Sequence, residues 1–287
     1  MEKSIAGMSP SEAALFIELV LKEDIGDSGD VTSVATVSAG ATLAGVIAAR
    51  QELTLAGVEL AELFFLRLDP SAELERLAED GMTLSPGQVI LKVAGSAQAL
   101  LAAERSALNT LAHLSGIATS ASIYSRAIDG TGCILLDTRK TVPGLRTLGK
   151  YAARVGGARN HRMRLDDGVL IKDNHIAVAG SVHAAVSAAK SARLQMPIQV
   201  EVDRVDQIEE ALAAGADAIL CDNMEVGELR RAVALISGRV PIEASGGVLL
   251  ESIREIALTG VTYVSVGRIT QSAPSVDVGL DYLPAST

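Results

Sequence analysis

Ile198-Gln-Val-Glu-Val-Asp-Arg-Val-Asp-Gln-Ile-Glu-Glu-Ala-Leu-Ala-Ala-Gly-Ala-Asp-Ala-Ile-Leu-Cys-Asp222 contains one complete folding unit. Ile198 to Val202 reads as a strand, Gln207–Ala214 as a helix, and Ala218 to Leu220 as a second strand that runs out at Cys221 and Asp222. A strand that reaches the next strand through a helix returns parallel to it. The same alternation extends in both directions. Upstream, strands read at Cys133 to Leu136 and Gly168 to Ile171, with helices near Leu145–Val155 and Val182–Ala192. Downstream, strands read at Ile242 to Ala244 and Tyr263 to Val266, with helices at Gly227–Ile236 and Leu250–Leu258. Repeats of this kind predict a parallel sheet, either open and doubly wound or rolled into a barrel. No dinucleotide-binding glycine fingerprint follows the first strand, which favours the barrel. Six strands fall short of the usual eight, so the predicted barrel is small or incomplete.

The chain before residue 115 has a different rhythm. Ser9-Pro10-Ser11-Glu12 opens a helix through Leu21, with a serine as its cap. Ala41 to Arg50 and Val89 to Val93 read as strands, Leu55 to Leu66 as a helix, and Ala97 to Ala127 as one long helix that Gly116 interrupts or bends. A separate N-terminal α/β domain is expected. In the C-terminal part, Asp137, Lys172, Glu201, Asp222, Ser245 and Gly267 all lie at or just past strand ends, which in a βα barrel converge on one mouth.

Charge is segregated along the chain. Asp137 to His175 carries nine Lys or Arg against four Asp, a local charge of +5 in a chain of net charge −10, so the remainder carries −15. A cationic pocket in an acidic body suits a small, highly anionic ligand. The acidic total and the 2 % aromatic content argue against nucleic acid as that ligand. Cys133 and Cys221 sit in apolar runs and read as buried strand residues, too few for a disulfide framework. Met1 to Asp24 shows no signal-peptide pattern, and no apolar run approaches the ~18 residues of a membrane span, so a soluble cytoplasmic protein is expected.

Within the basic stretch, Arg139 and Lys140 follow a strand and can engage a carboxylate and a phosphate, the arginine as a planar fork and the lysine as a point charge. Gly156-Gly157-Ala158-Arg159-Asn160-His161-Arg162 is a glycine turn leading into cationic donors, with Arg159 and Arg164 read as surface charge. Lys172 follows three apolar residues and calls for an anionic partner, either a substrate or a neighbouring Asp or Glu; Asn174 and His175 cap its loop. Glu201, Asp203 and Asp222 can accept from sugar hydroxyls or hold Mg²⁺ alongside a phosphate. Ser245-Gly246-Gly247 and Val266-Gly267 follow the last two strands, where such barrels place a phosphate. Several cations, two or three acids and a phosphate cradle, with no evident nucleophile, fit phosphoribosyl or phosphoryl transfer, or chemistry on a sugar phosphate.

These residues carry a resemblance. Glu23-Asp24-Ile25-Gly26, Glu104-Arg105-Ser106-Ala107-Leu108-Asn109, Leu136-Asp137-Thr138-Arg139-Lys140-Thr141, Asn160-His161-Arg162, Leu170-Ile171-Lys172-Asp173-Asn174-His175, Asp222-Asn223-Met224 and Glu243-Ala244-Ser245-Gly246-Gly247 resemble the quinolinate phosphoribosyltransferase family across nearly the whole chain. The resemblance implies an N-terminal α/β sandwich domain over 1–115, joined by the C-terminal tail 271–287, and an incomplete six- or seven-stranded α/β barrel over 116–270. It implies transfer of phosphoribose from phosphoribosyl pyrophosphate to quinolinate with decarboxylation, Mg²⁺ as cofactor, and a homodimer or hexamer of dimers in which Arg105 reaches the neighbouring site. By the same analogy Arg139, His161, Arg162 and Lys172 hold quinolinate, and Lys140 meets the pyrophosphate. Glu201 and Asp222 take ribose hydroxyls and Mg²⁺, and Ser245, Gly246, Gly247, Val266 and Gly267 hold phosphate. Lys140, Lys172, Glu201 and Asp222 form its catalytic set. Gln271 departs from the family, which usually has His there. A molybdenum-operon relative of the family, a Schiff-base aldolase using Lys172, and a silent quinolinate binder stand as alternatives.

Overall fold

The computed structural model describes residues 4–283. In chain order it comprises α1 (Pro10–Ile25), α2 (Val31–Thr36), β1 (Thr42–Ala49), β2 (Leu53–Thr54), α3 (Val58–Leu68), β3 (Glu73–Arg76), β4 (Thr83–Leu84), β5 (Val89–Ser96) and α4 (Ala97–Ala127). There follow β6 (Ile134–Leu136), α5 (Arg146–Val155), β7 (Val169–Ile171), α6 (Asp173–Ala179), α7 (Val182–Ser191), β8 (Ile198–Val202), α8 (Gln207–Ala213) and β9 (Ala218–Asp222). The last elements are α9 (Val226–Ile236), β10 (Ile242–Ser245), α10 (Leu250–Ala257), β11 (Tyr263–Ser265), α11 (Arg268–Gln271) and β12 (Val278–Tyr282).

These elements form two compact units. One takes the described residues up to Ser122, Pro143–Gly156 and those from Ser272 on; the other takes Ile123–Val142 and Gly157–Gln271. The chain leaves the first unit inside α4, returns for α5, and returns again for its last strand. Residues 1–3 and 284–287 of the expected N-terminal domain and tail lie outside the described residues.

The first unit is built on an antiparallel sheet ordered β12-β1-β5-β3, with Ile47 opposite Leu280 and Leu91, and Leu74 opposite Val93. Its core gathers Ile47, Leu91 and Val93 from the sheet with Phe64 and Phe65 of α3 and Leu100 and Leu111 of α4. Burying each such side chain contributes roughly 1.5–3 kcal/mol. Helix α1 starts on a reciprocal cap in which Glu12 N–H donates to Ser9 Oγ at 3.3 Å and Ser9 N–H donates to Glu12 Oε2 at 2.8 Å. Helix α4 does not break at Gly116. A Cβ there would stand 2.2 Å from the Pro274 carbonyl oxygen, so the glycine admits the returning chain.

The second unit holds a six-stranded parallel sheet ordered β6-β11-β10-β9-β8-β7. This is the sequence order closed into a ring and cut once, between β6 and β7. At the cut, Arg159 runs parallel to β6 for a single bridge: its N–H donates to Leu135 O at 2.8 Å, and Asp137 N–H donates to Arg159 O at 3.1 Å. The fragment marks where a seventh strand would lie. One face of the sheet packs Val200, Ile219, Cys221 and Ala244 against Val186, Ile208, Leu229 and Ile236 from the helices. Because side chains alternate along a strand, the other face presents Gln199, Glu201, Asp222, Glu243 and Ser245. The candidate site residues carried by the strands lie on that face and at its C-terminal rim.

Candidate active site

The parallel register sets the polar face in rows. Glu201 of β8 pairs with Leu220 of β9, Leu220 with Glu243 of β10, and Glu243 with Tyr263 of β11; one step towards the rim, Asp222 pairs with Ser245. Lys172 leaves β7 just beyond Ile171, and its Nζ donates to Glu201 Oε2. The lysine is half exposed while Glu201 is 12 % exposed, so the carboxylate is the better-buried partner. Of the neighbouring acids that the lysine's apolar flank called for, Glu201 is the one it meets. His175 Nδ1 accepts the Lys172 N–H at 3.0 Å and holds the start of α6.

Beside this pair, the loop after β6 and the segment 159–162 are pinned together by Asp137, which is fully buried. Asp137 accepts from Asn160 Nδ2 at 2.6 Å and from His161 N–H at 2.8 Å. The His161 ring continues the network. Its Nδ1 accepts the Arg162 N–H at 2.8 Å, and its Nε2 lies 3.2 Å from Glu243 Oε2. Glu243, 2 % exposed, also accepts from Gln199 Nε2 at 2.7 Å. Burial opposes its ionisation, and the hydrogen bond from His161 leads the contacts that nevertheless hold the carboxyl below the ordinary glutamate value.

Two guanidiniums stand close here. Burial, then the like charge of Arg139, lowers the pKa of Arg162, while Asp167 works the other way. Arg162 Nη1 donates to Gly168 O at 2.7 Å. Arg139 Nε is buried and has no hydrogen-bond partner among the described residues. A buried orphan donor beside a second, partly desolvated cation is costly, and an anion placed between them offsets both costs.

The glycine loops occupy the adjoining rim. Gly246 has φ 89°, and a Cβ there would fall 2.2 Å from Asn223 Oδ1 and 2.7 Å from Asn223 N, so two backbones meet where no side chain fits. A Cβ at Gly267 would fall 3.0 Å from Lys140 Cδ. Val266 is buried, and its N–H donates to Leu136 O at 3.0 Å. The Lys140 loop is held by Thr270 Oγ1, which donates to Lys140 O at 2.8 Å, and by Lys140 N–H, which donates to Thr138 Oγ1 at 3.0 Å.

The second unit therefore carries Arg139, Lys140, His161, Arg162, Lys172, Glu201, Asp222, Ser245, Gly246, Gly247, Val266 and Gly267 on loops and strand ends of one sheet. Arg105 belongs to the other unit, exposed on α4. Glu243 escaped the sequence reading. Its signal was an acid between Ile242 and Ala244 in an apolar strand, the same kind that drew attention to Lys172. Cys221 is buried in β9 as expected, but Cys133 precedes β6 and is only partly buried. No group of three metal-ligating side chains occurs among the described residues. Glu201 and Asp222 remain as two carboxylates, a donor set suited to Mg²⁺ that completes its shell with substrate oxygens and water. No helix among the described residues is long and apolar enough to cross a membrane.

A parallel α/β sheet whose C-terminal rim combines paired guanidiniums, two acids and a glycine cradle defines an enzyme site for a small polyanion and a phosphorylated sugar. The chain belongs to the quinolinate phosphoribosyl transferase family: the N-terminal-domain model of that family matches residues 30–115 and the C-terminal-domain model matches residues 117–281. It is 43 % identical over 271 residues to the nicotinate-nucleotide pyrophosphorylase (carboxylating) of Mycobacterium leprae, covering 92 % of this chain and 95 % of that one. Among solved structures it is similar to NadC from Streptococcus pyogenes, at 37 % identity and TM-score 0.91 over 96 % of this chain and 99 % of that one. The nicotinate-nucleotide pyrophosphorylase of Ehrlichia chaffeensis is similar to the same degree, with 37 % identity, TM-score 0.92 and coverage of 96 % and 99 %.

Proposed function

We propose that this chain transfers phosphoribose from phosphoribosyl pyrophosphate to quinolinate, in the cytoplasm, giving nicotinate mononucleotide, pyrophosphate and CO₂ on the way to NAD. The observation that carries this reading is the Arg139–Arg162 pair, with one guanidinium partly desolvated and the other holding an unpartnered donor. A dicarboxylate answers both.

Arg139, Arg162 and Lys172, with His161 beside them, receive the two carboxylates of quinolinate. A carboxylate arriving at Lys172 replaces Glu201 as its partner. The released Glu201, with Asp222, then accepts from the ribose hydroxyls and would hold Mg²⁺, which supplies charge neutralisation for the pyrophosphate. Lys140 meets the pyrophosphate, and Ser245, Gly246, Gly247, Val266 and Gly267 hold the 5′-phosphate. The pyridine nitrogen bonds to the ribose anomeric carbon as the bond to pyrophosphate breaks. Glu201 and Asp222 lie where positive charge develops on the ribose. The ring nitrogen, now cationic, stabilises the electron pair left on C2 when the C2 carboxylate departs as CO₂, and C2 then takes a proton from solvent. Fixed charges and position supply the catalysis. Arg105 completes the site of a second copy in a dimer or a hexamer of dimers.

Release of pyrophosphate and nicotinate mononucleotide from quinolinate, phosphoribosyl pyrophosphate and Mg²⁺, with nicotinate as the parallel substrate, tests the reading. Turnover of quinolinate alone is expected. Preference for nicotinate, or quinolinate binding without turnover, would overturn it.

A further inference from the structure

Glu243 has no task in the reaction as set out, yet it occupies the middle of the polar face with 2 % exposure. An idle buried carboxylate behind an anion site would weaken the binding that the site exists to provide. Its contacts show what it does instead. Oε2 takes Gln199 Nε2 at 2.7 Å and stands 3.2 Å from His161 Nε2. On the far side of the ring, Nδ1 accepts the Arg162 N–H at 2.8 Å. A ring nitrogen that accepts carries no proton, so the ring proton sits on Nε2 and points at Glu243.

We propose that Glu243 is a positioning residue: by accepting from His161 Nε2 it fixes the ring as the Nε2–H tautomer, whose bare Nδ1 holds the Arg162 amide and so sets the turn that aims Arg162 at the substrate. Three consecutive residues are then fixed by two buried acids. Asp137 holds Asn160 and the His161 amide, and Glu243 holds the His161 ring and, through it, the Arg162 amide. His161 acts in this arrangement as a neutral strut, and Arg139, Arg162 and Lys172 carry the positive charge of the site. The kinetic consequence rests on the proposed reaction; the tautomer does not.

The test is nitrogen-15 NMR of histidine-labelled protein without substrates, with His161 assigned by its absence in His161→Asn. The expected spectrum shows His161 protonated on Nε2 and bare on Nδ1. A proton on Nδ1, alone or together with one on Nε2, would overturn the proposal whatever the activity. Kinetics of two variants follow. Glu243→Leu is expected to lose the fixed tautomer and to lower kcat/KM for quinolinate by roughly ten- to a hundred-fold, with KM for phosphoribosyl pyrophosphate unchanged. Glu243→Gln can accept from His161 through its carbonyl and donate to a flipped Gln199 amide, so it is expected to restore both the tautomer and most of the rate. Glu243→Gln as impaired as Glu243→Leu would mean that the charge and not the hydrogen bond matters, and would overturn positioning. If Glu243→Leu fails to fold, the wild-type spectrum and Glu243→Gln decide. A wild type inert towards quinolinate would refute the proposed reaction and leave the tautomer result standing.

Discussion

Replacing Arg162 by methionine should separate folding from function. In the free protein Arg162 stands against Arg139, with burial and that like charge both lowering its pKa, and its Nη1 donates to Gly168 O at 2.7 Å. Losing that bond costs about 1.5–3 kcal/mol at most. Methionine keeps the apolar stem, and it relieves both the repulsion and the desolvation of the guanidinium, which offsets much of the loss. The net change in stability should be about 1 kcal/mol or less, a shift of about 2–4 °C in Tm. Binding has no such compensation. One charge-assisted contact to a quinolinate carboxylate contributes about 1.5–3 kcal/mol, so kcat/KM for quinolinate should fall about ten- to 150-fold. Thermal unfolding with and without quinolinate reads both quantities. Ligand at about a hundred times Kd should raise the wild-type Tm by roughly 5–10 °C, and at the same concentration should raise that of the variant by only roughly 1–6 °C. An Arg162→Met protein with a collapsed Tm and unchanged kcat/KM would show that the arginine is structural and that the paired-cation argument is wrong.

Gly246→Ala should raise KM for phosphoribosyl pyrophosphate far more than Gly247→Ala, because the first Cβ meets Asn223 at 2.2 Å while the second, at φ 58°, has nothing within 4 Å and costs only the ~1–2 kcal/mol of left-handed backbone; equal effects in steady-state kinetics would dispose of the close-approach argument. Asp217 accepts the Ile198 N–H at 2.8 Å and pairs with Lys190; burial opposes its ionisation, but these contacts leave its pKa below the ordinary 3.8. Its contribution is therefore fully present above pH ~3.8 and is lost as pH falls through the lower folded value. Urea midpoints of wild type and Asp217→Asn should converge in strong acid and differ at neutral pH; a gap independent of pH would contradict this. Burial pushes the Cys133 thiol to about 11 and the Cys221 thiol to about 12. Iodoacetamide at neutral pH should therefore leave both unmodified until denaturant is added, as mass spectrometry would show.

The parallel half of the fold was legible because its pattern is redundant. The βαβ unit at 198–222 placed β8 without error, and the neighbouring strands and helices fell within a residue or two of their expected limits. Of the elements that escaped, β3 lacks an apolar signature. In β3, Glu73 and Glu75 alternate with half-buried Leu74 and Arg76, an edge strand whose exposed side reads as loop. Strand β12 is recruited by pairing with β1 more than 200 residues away, which no local window contains. At the candidate site, the strand-end rule placed Lys172, Glu201 and Asp222 at one rim, since position in a βα repeat alone predicts convergence. It missed Glu243, which lies two residues below the rim and works through His161. Pairing of Lys172 with Glu201 needed the register between β7 and β8, which sequence spacing does not encode.

The partnership of β1 with β12 also sets a timetable. Thr42–Ala49 leaves the ribosome well before its neighbour Val278–Tyr282. At roughly 5–20 residues per second, that interval lasts roughly 10–50 s. Every strand of the parallel sheet is synthesised within it, so that sheet can assemble while one edge of β1 still lacks its partner. A nascent chain stalled before residue 278 would expose that edge, with Ile47 and Ala49 on the strand, to any other extended polypeptide. Truncation ahead of Val278 would therefore injure the sheet that β1 begins, not the parallel sheet completed in between.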